Sequence, residues 1–195
     1  MRKEDALYQL SSSNFMIQEL DLSENQIGRY VGSLKKLILG DSSSLKKLWL
    51  DRVLLSDEGA VNLLDMVTSS RNLKCLSISE NKLTDRLGPA LAALTEENKT
   101  LEELYLCWNN FSSVSMEPFF KALSKNNSLR VLDLGWNSIG SNMKVIKRNA
   151  LQCVEAIADC FRSNKSLLHV SLNNNGFSFE ESKVIAEVEV DLQRF

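Results

Sequence analysis

Apolar residues recur in this chain on a fixed frame. Counting from Leu101 as position zero, apolar residues follow at position 3 (Leu104), position 5 (Leu106) and position 10 (Phe111), and position 8 is Asn109. The same frame starts at Ile17, Leu45, Leu73, Leu129 and Leu167. The first five starts lie 28 residues apart, and the last interval is 38. Apolar residues at positions 3 and 5 with polar ones between them predict a short strand with one buried face. Later in each unit the apolar residues fall at positions 18, 19, 21 and 22, which is one face of a helix. Leu63, Leu64, Met66 and Val67 show this in the second unit, and Phe119, Phe120, Ala122 and Leu123 in the fourth. Ile157, Ala158, Cys160 and Phe161 do so before the sixth. Each unit therefore predicts a strand, a turn and a helix of about three turns. One such unit cannot bury its apolar face alone, whereas a stack of them can. Strands pack side by side more closely than helices do, so the stack curves with a parallel sheet inside and helices outside.

Asparagine fills position 8 in five units, at Asn25, Asn81, Asn109, Asn137 and Asn175. A buried amide there satisfies backbone groups that lose their partners where the chain leaves the strand, forming a structural ladder from repeat to repeat. Val53 takes this position in the second unit and predicts a local irregularity. The unit ends read NKTL (98–101), NNSL (126–129) and NKSL (164–167). Their asparagines predict helix stops, at a place that tolerates left-handed backbone.

The period and the frame L-x-x-L-x-L-x-x-N-x-[LIF] resemble leucine-rich repeats of the ribonuclease-inhibitor-like subtype. That subtype also occurs in the C-terminal regions of NOD-like receptors, in Ran GTPase-activating protein and in cytoskeletal and axonemal proteins. The resemblance implies an α/β fold: a curved leucine-rich-repeat solenoid, a horseshoe segment of six strand–helix repeats forming a single domain over residues 1–195. It says far more about fold than about function. Residues 1–16 read as an N-terminal helical half-repeat, and Phe195 falls on the first leucine position of a seventh unit. Neither end carries a strong cap, so the chain reads as a piece of a longer solenoid or receptor, with apolar ends open to weak self-association. The long fifth unit carries an insertion at about 143–152, which predicts a lengthened helix. Lys144, Lys147 and Arg148 make its start basic, a candidate rim contact.

Composition narrows the chemistry. A net charge of -2 offers nothing to nucleic acid or to an anionic membrane. No run of apolar residues is long enough to span a bilayer, and the N-terminus has no signal-peptide core. Four cysteines with no C-x-x-C pair, beside a single histidine, exclude zinc spacing. Reduced thiols in a cytoplasmic protein are the expectation, so the sequons at Asn98, Asn110, Asn126 and Asn164 are expected to carry no glycan. Phosphate-binding, nucleophile-elbow and zinc-protease motifs are absent. Neither a cofactor nor a metal is expected, and the reading is a non-enzymatic protein–protein interaction scaffold.

The inner strand face is where such a scaffold meets its partner. Positions 2, 4 and 6 should point outward from the strand, with position 7 following at the turn. All three tryptophans fall there: Trp49 at position 4, and Trp108 and Trp136 at position 7 of adjacent units. With Tyr105 they form an aromatic group flanked by Asp51, Glu80, Glu103 and Asp133. Aromatic rings bury large area at little entropic cost, and the carboxylates suit a basic protein partner. Cys75 at position 2 and Cys107 at position 6 should face outward too. Two other readings follow from the resemblance. One is a GTPase-activating accessory protein with Arg52 near its rim, and the other is a cytoskeletal or axonemal scaffold.

Overall fold

The structure, a computed structural model, describes residue 9, residues 16–40, 43–141 and 147–192. Apart from residue 9 and Met16, the expected N-terminal half-repeat lies outside these residues, as do Lys144 and Phe195. Six three-residue strands form one parallel sheet in chain order. They are β1 (Glu19–Asp21), β2 (Lys47–Trp49), β3 (Cys75–Ser77), β4 (Glu103–Tyr105), β5 (Val131–Asp133) and β6 (His169–Ser171). The register is the repeat frame itself: Leu20, Leu48, Leu76, Leu104, Leu132 and Val170 stand opposite one another from strand to strand.

The outer layer holds α1 (Lys35–Leu39), α2 (Asp57–Ser69), α3 (Gly88–Glu97), α4 (Ser113–Leu123), α5 (Lys147–Ser163) and α6 (Phe179–Leu192). Short 3-10 turns at Gly28–Leu34 and Asp85–Leu87 lead into α1 and α3. The expected helical faces are the buried ones. Leu63, Leu64 and Val67 of α2 and Phe119, Phe120 and Leu123 of α4 are fully buried, and they meet the strand leucines in one continuous core. Burying a leucine contributes about 2 kcal/mol, against about 1 for an ordinary hydrogen bond, so this apolar column dominates stability. The helices of repeats two, three and four start under side-chain caps from Ser56, Thr84 and Ser112.

The ladder at position 8 forms, and its inner rungs are saturated. Asn109 donates to the carbonyls of Ile78, Leu106 and Cys107 and accepts from the backbone N–H groups of Asn81 and Leu83. Asn81 repeats the scheme, and Asn137 donates to three carbonyls and accepts from the Phe111 N–H. The outer rungs differ. Asn25 is exposed and bonds only carbonyls of its own repeat, Leu22 and Ser23. Asn175 still donates to Leu134, but its buried Oδ1 has no partner. At Val53 apolar burial replaces the amide, and Gly28 of the preceding repeat donates to the Val53 carbonyl. A Cβ at Gly28 would sit 2.2 Å from the Leu54 carbonyl oxygen, and repeat one continues as a 3-10 turn rather than a full helix. The same N–H donation and close glycine approach recur between Gly140 and the repeat of Asn175, where the ladder amide is present, so they do not follow from the valine.

The asparagines at the unit ends are not left-handed helix stops. Asn98 has extended backbone, φ -74° and ψ 132°. It donates to Val67 and Ser70 of the preceding repeat and accepts from the N–H of Thr100 and of Leu101. Asn126 and Asn164 do the same one and two repeats later. They form a second ladder at the other end of the strands. The hydroxyl two residues on completes each rung: Thr100 donates to the Ser70 carbonyl, and Ser128 and Ser166 to those of Asn98 and Asn126. The N-x-[ST]-L signature thus arises from the geometry of the stack.

A third series of contacts joins the helix starts and ends abruptly. Asp57 accepts from the N–H and hydroxyl of Thr84, and Asp85 from those of Ser112. The next pair would be Ser113 and Gly140. Position 113 lacks the carboxylate and position 140 lacks the hydroxyl of the earlier pairs, and the buried Ser113 hydroxyl has no partner. Glycine is required at 140, because a Cβ would lie 2.4 Å from the Gly176 carbonyl oxygen.

Candidate protein-binding surface

Where each strand ends, the chain turns through a left-handed residue at position 7. Glu24, Arg52, Glu80, Trp108, Trp136 and Asn174 all have φ between 53° and 61°. This conformation aims their N–H groups sideways. Glu24 donates to the Asp51 carbonyl, Arg52 to Ser79, Glu80 to Cys107, Trp108 to Gly135 and Trp136 to Asn173. Glycine and asparagine adopt left-handed backbone readily, whereas other residues cost about 1 kcal/mol there. Only Asn174 is of the favoured kind. The backbone thus dictates the turn, and it disfavours tryptophan in it.

Trp108 and Trp136 nevertheless occupy two adjacent turns. Their rings stack with centroids 4.1 Å apart and planes 8° from parallel. They remain 48% and 44% exposed, so neither lies flat on its own repeat as a cover. Beside them is an open recess of about 420 Å³, lined also by Glu80, Lys82, Asn110, Ser138 and Asn174. In the same column Arg52 spans two carboxylates, with Nη1 3.0 Å from Glu24 and Nε 2.6 Å from Glu80.

The other expected aromatics stand apart from this pair. Trp49 on β2 and Tyr105 on β4 are half-buried and separated by β3, whose matching residue is Ser77. The Lys47 ammonium lies 6.0 Å from the Trp49 ring centre and 3.0 Å from Glu19. The Tyr105 hydroxyl donates to Glu103, and burial, aided by that bond, pushes its pKa up to about 12. Of the aromatics expected on this face, Trp108 and Trp136 are the pair brought into ring contact.

The face is also not outward at every alternate position. Cys75, Ser77 and Ser79 on and just beyond β3 are 1–4% exposed. β3 alone is buried at all three strand positions, and the residues paired with Cys75 and Ser77 on β2 and β4 carry larger side chains. Cys75 is thus a buried thiol, raised to about 12 by burial and by Glu103. Cys107 is half-buried, and burial raises it too.

The acidic residues divide in a similar way. The Asp51 carboxylate accepts from the Ser77 hydroxyl at 2.5 Å and the Ser79 N–H at 2.7 Å, so it is anchored to the next repeat. Burial raises its pKa, and those two bonds offset only part of the rise. Asp133 accepts from the Gly135 N–H. Across positions 2 to 7 the face carries seven carboxylates (Glu19, Asp21, Glu24, Asp51, Glu80, Glu103 and Asp133) against Lys47 and Arg52. The acidity of the whole chain is concentrated on this side.

A family model described as "Leucine Rich repeat" matches residues 13–28, 69–86 and 125–142, each segment beginning two repeat periods after the one before. Mouse ribonuclease inhibitor is 31% identical over 131 residues, which cover 66% of this chain and 29% of that protein. The chain is a leucine-rich-repeat protein of the ribonuclease-inhibitor-like subtype. NACHT, LRR and PYD domains-containing protein 3 of rat is 26% identical over 203 residues, covering 93% of this chain and 20% of that protein. This leucine-rich-repeat chain therefore spans less than a third of either relative. Two solved structures share its curved fold. One is a Caenorhabditis elegans tropomodulin C-terminal domain, with TM-score 0.54 and 14% identity over 99% of this chain and 98% of that one. The other is leiomodin-1 actin-binding site 2, with TM-score 0.59 and 15% identity over 100% of this chain and 93% of that one.

Two rim features remain. Arg52 of the solenoid is held at both ends by carboxylates, an arrangement opposed to reaching out to a phosphate. The basic start of α5 includes Lys147 and Arg148 as its first two residues, and their side chains and Lys144 lie outside the described residues. Leu54 was not anticipated. It sits two positions beyond Arg52 in a left-handed conformation, φ 59°, and is 68% exposed on the same turn. Its signal in the sequence was its place directly after the valine that breaks the ladder.

Proposed function

We propose that this chain is a non-enzymatic, cytoplasmic scaffold that binds a basic protein partner on its inner strand face and the adjoining turns. The observation that carries the reading is the Trp108–Trp136 stack: two half-exposed indoles held in a conformation that tryptophan disfavours. A residue that neither fills the core nor suits its backbone is kept for what it meets. The excess of carboxylates over the inner face as a whole supports a cationic partner. Matches to repeat-bearing relatives support the scaffold role, since this fold presents a preformed surface for shape recognition. Three of the four sequons have a structural reason instead, because the amide nitrogens of Asn98, Asn126 and Asn164 bond backbone carbonyls inside the stack.

The test is a quantitative affinity capture comparing the wild-type chain with a Trp108→Asn, Trp136→Asn variant. Asparagine suits the left-handed turn, so the variant keeps its fold. Loss of a basic protein from the variant eluate, with the melting temperature retained, supports the reading. Identical captured proteins from both chains would remove it.

A further inference from the structure

Within that binding face the structure assigns a narrower role, which rests on the reading above. We propose that the Trp108–Trp136 pair seats an arginine side chain of the partner, its guanidinium flat on exposed indole surface and Glu80 supplying the opposite charge. The stack uses one face of each ring, and the column neighbours on either side are Glu80 and Asn174, both lining the recess. Indole is the best aromatic surface for a cation, and a planar guanidinium adds stacking area that an ammonium lacks. Arg52 engages Glu80 through Oε2, and the second carboxylate oxygen serves the incoming group.

Arg52 also shows that the column suits this chemistry. It is a guanidinium in the same row, one repeat from Glu24 and one from Glu80, bridging both. Lys82 lines the recess as well and repels any cation. A group that gains from stacking as well as charge overcomes that repulsion better than a bare ammonium. A recess that holds both Glu80 and Lys82 beside exposed indole thus favours arginine among cations.

The experiment titrates nona-arginine, nona-lysine and nona-proline peptides into the full chain, following tryptophan fluorescence and binding heat. Nona-arginine is expected to change the fluorescence saturably and to bind about fivefold tighter than nona-lysine. Trp108→Asn with Trp136→Asn should erase that preference and the fluorescence change, while Trp49 remains as an internal reference. Glu80→Gln should weaken nona-arginine severalfold. Equal binding of both cationic peptides without a change in tryptophan signal overturns the arginine seat and leaves the basic-partner reading standing. Binding of nona-proline with the tryptophan change overturns the seat and the basic character of the partner together. Failure of both cationic peptides to bind also overturns both.

Discussion

Trp108 and Trp136 stack at 4.1 Å on neighbouring turns whose backbones both lie in the left-handed region. Replacing both by asparagine removes a stack worth about 0.5–1.5 kcal/mol and relieves about 1 kcal/mol of backbone strain at each site. The strain relief, about 2 kcal/mol over the two sites, offsets the lost stack and part of the lost indole burial. Thermal unfolding should shift by only a few degrees. A fall of more than about 10 °C would show that the rings support the fold rather than a partner.

The two classes of ladder asparagine should separate sharply. Asn109→Ala leaves buried carbonyls and N–H groups of two adjacent repeats without partners and should cost about 3 kcal/mol or more. Asn25→Ala touches only exposed carbonyls of its own repeat and should cost under about 1 kcal/mol. Urea titrations of the two variants check this, and equal losses would contradict the ladder account.

Asp51 predicts a pH effect of unusual sign for a carboxylate. Its folded pKa is raised above 3.8 by burial, so folding favours the protonated form. Its contribution is therefore greatest below the unfolded pKa and is lost as pH rises through the folded one. Asp51→Asn keeps an oxygen for Ser77 and Ser79, which both donate to the same Oδ1 in the wild type. The variant should be at least as stable as wild type at pH 7 and lose its advantage near pH 3. Chemical denaturation at the two pH values measures the difference.

Thiol reactivity should follow burial. Cys75, Cys153 and Cys160 are buried with pKa values pushed to about 12, so almost no thiolate exists at pH 8. Cys107 is half-buried and should be the first to react with iodoacetamide in the native protein, although slowly, since its pKa is raised as well. Peptide mapping after timed alkylation shows the order. Early labelling of Cys75 would mean that the β3 face opens in solution.

Gly140→Ala tests the tight approach between the last two repeats. The new methyl would meet the Gly176 carbonyl oxygen and the Phe177 nitrogen at 2.4 Å, and both are backbone atoms with no rotamer to escape into. Overpacking of this kind costs about 1–3 kcal/mol. A melting temperature unchanged from wild type would show that these repeats separate easily.

The repeat frame alone determined most of the architecture. A strand alternates every two residues and a helical face every three or four, so the apolar positions specified six strands, their outer helices and the strand register. The same counting placed Trp108 and Trp136 in one column and assigned Asn81, Asn109 and Asn137 to a buried ladder. It also marked Val53 as the break. What counting left open depends on contacts between repeats and on backbone dihedrals, which spacing does not encode. The burial of Cys75 and Ser77 goes with larger side chains paired 28 residues away on either side. Asn98 does stop its helix, but with extended backbone, and its amide reaches carbonyls of the preceding repeat to form a rung that spacing does not reveal. The left-handed turn at position 7 comes from hydrogen bonds to the neighbouring repeat, and only that turn brings two indoles face to face and leaves them open.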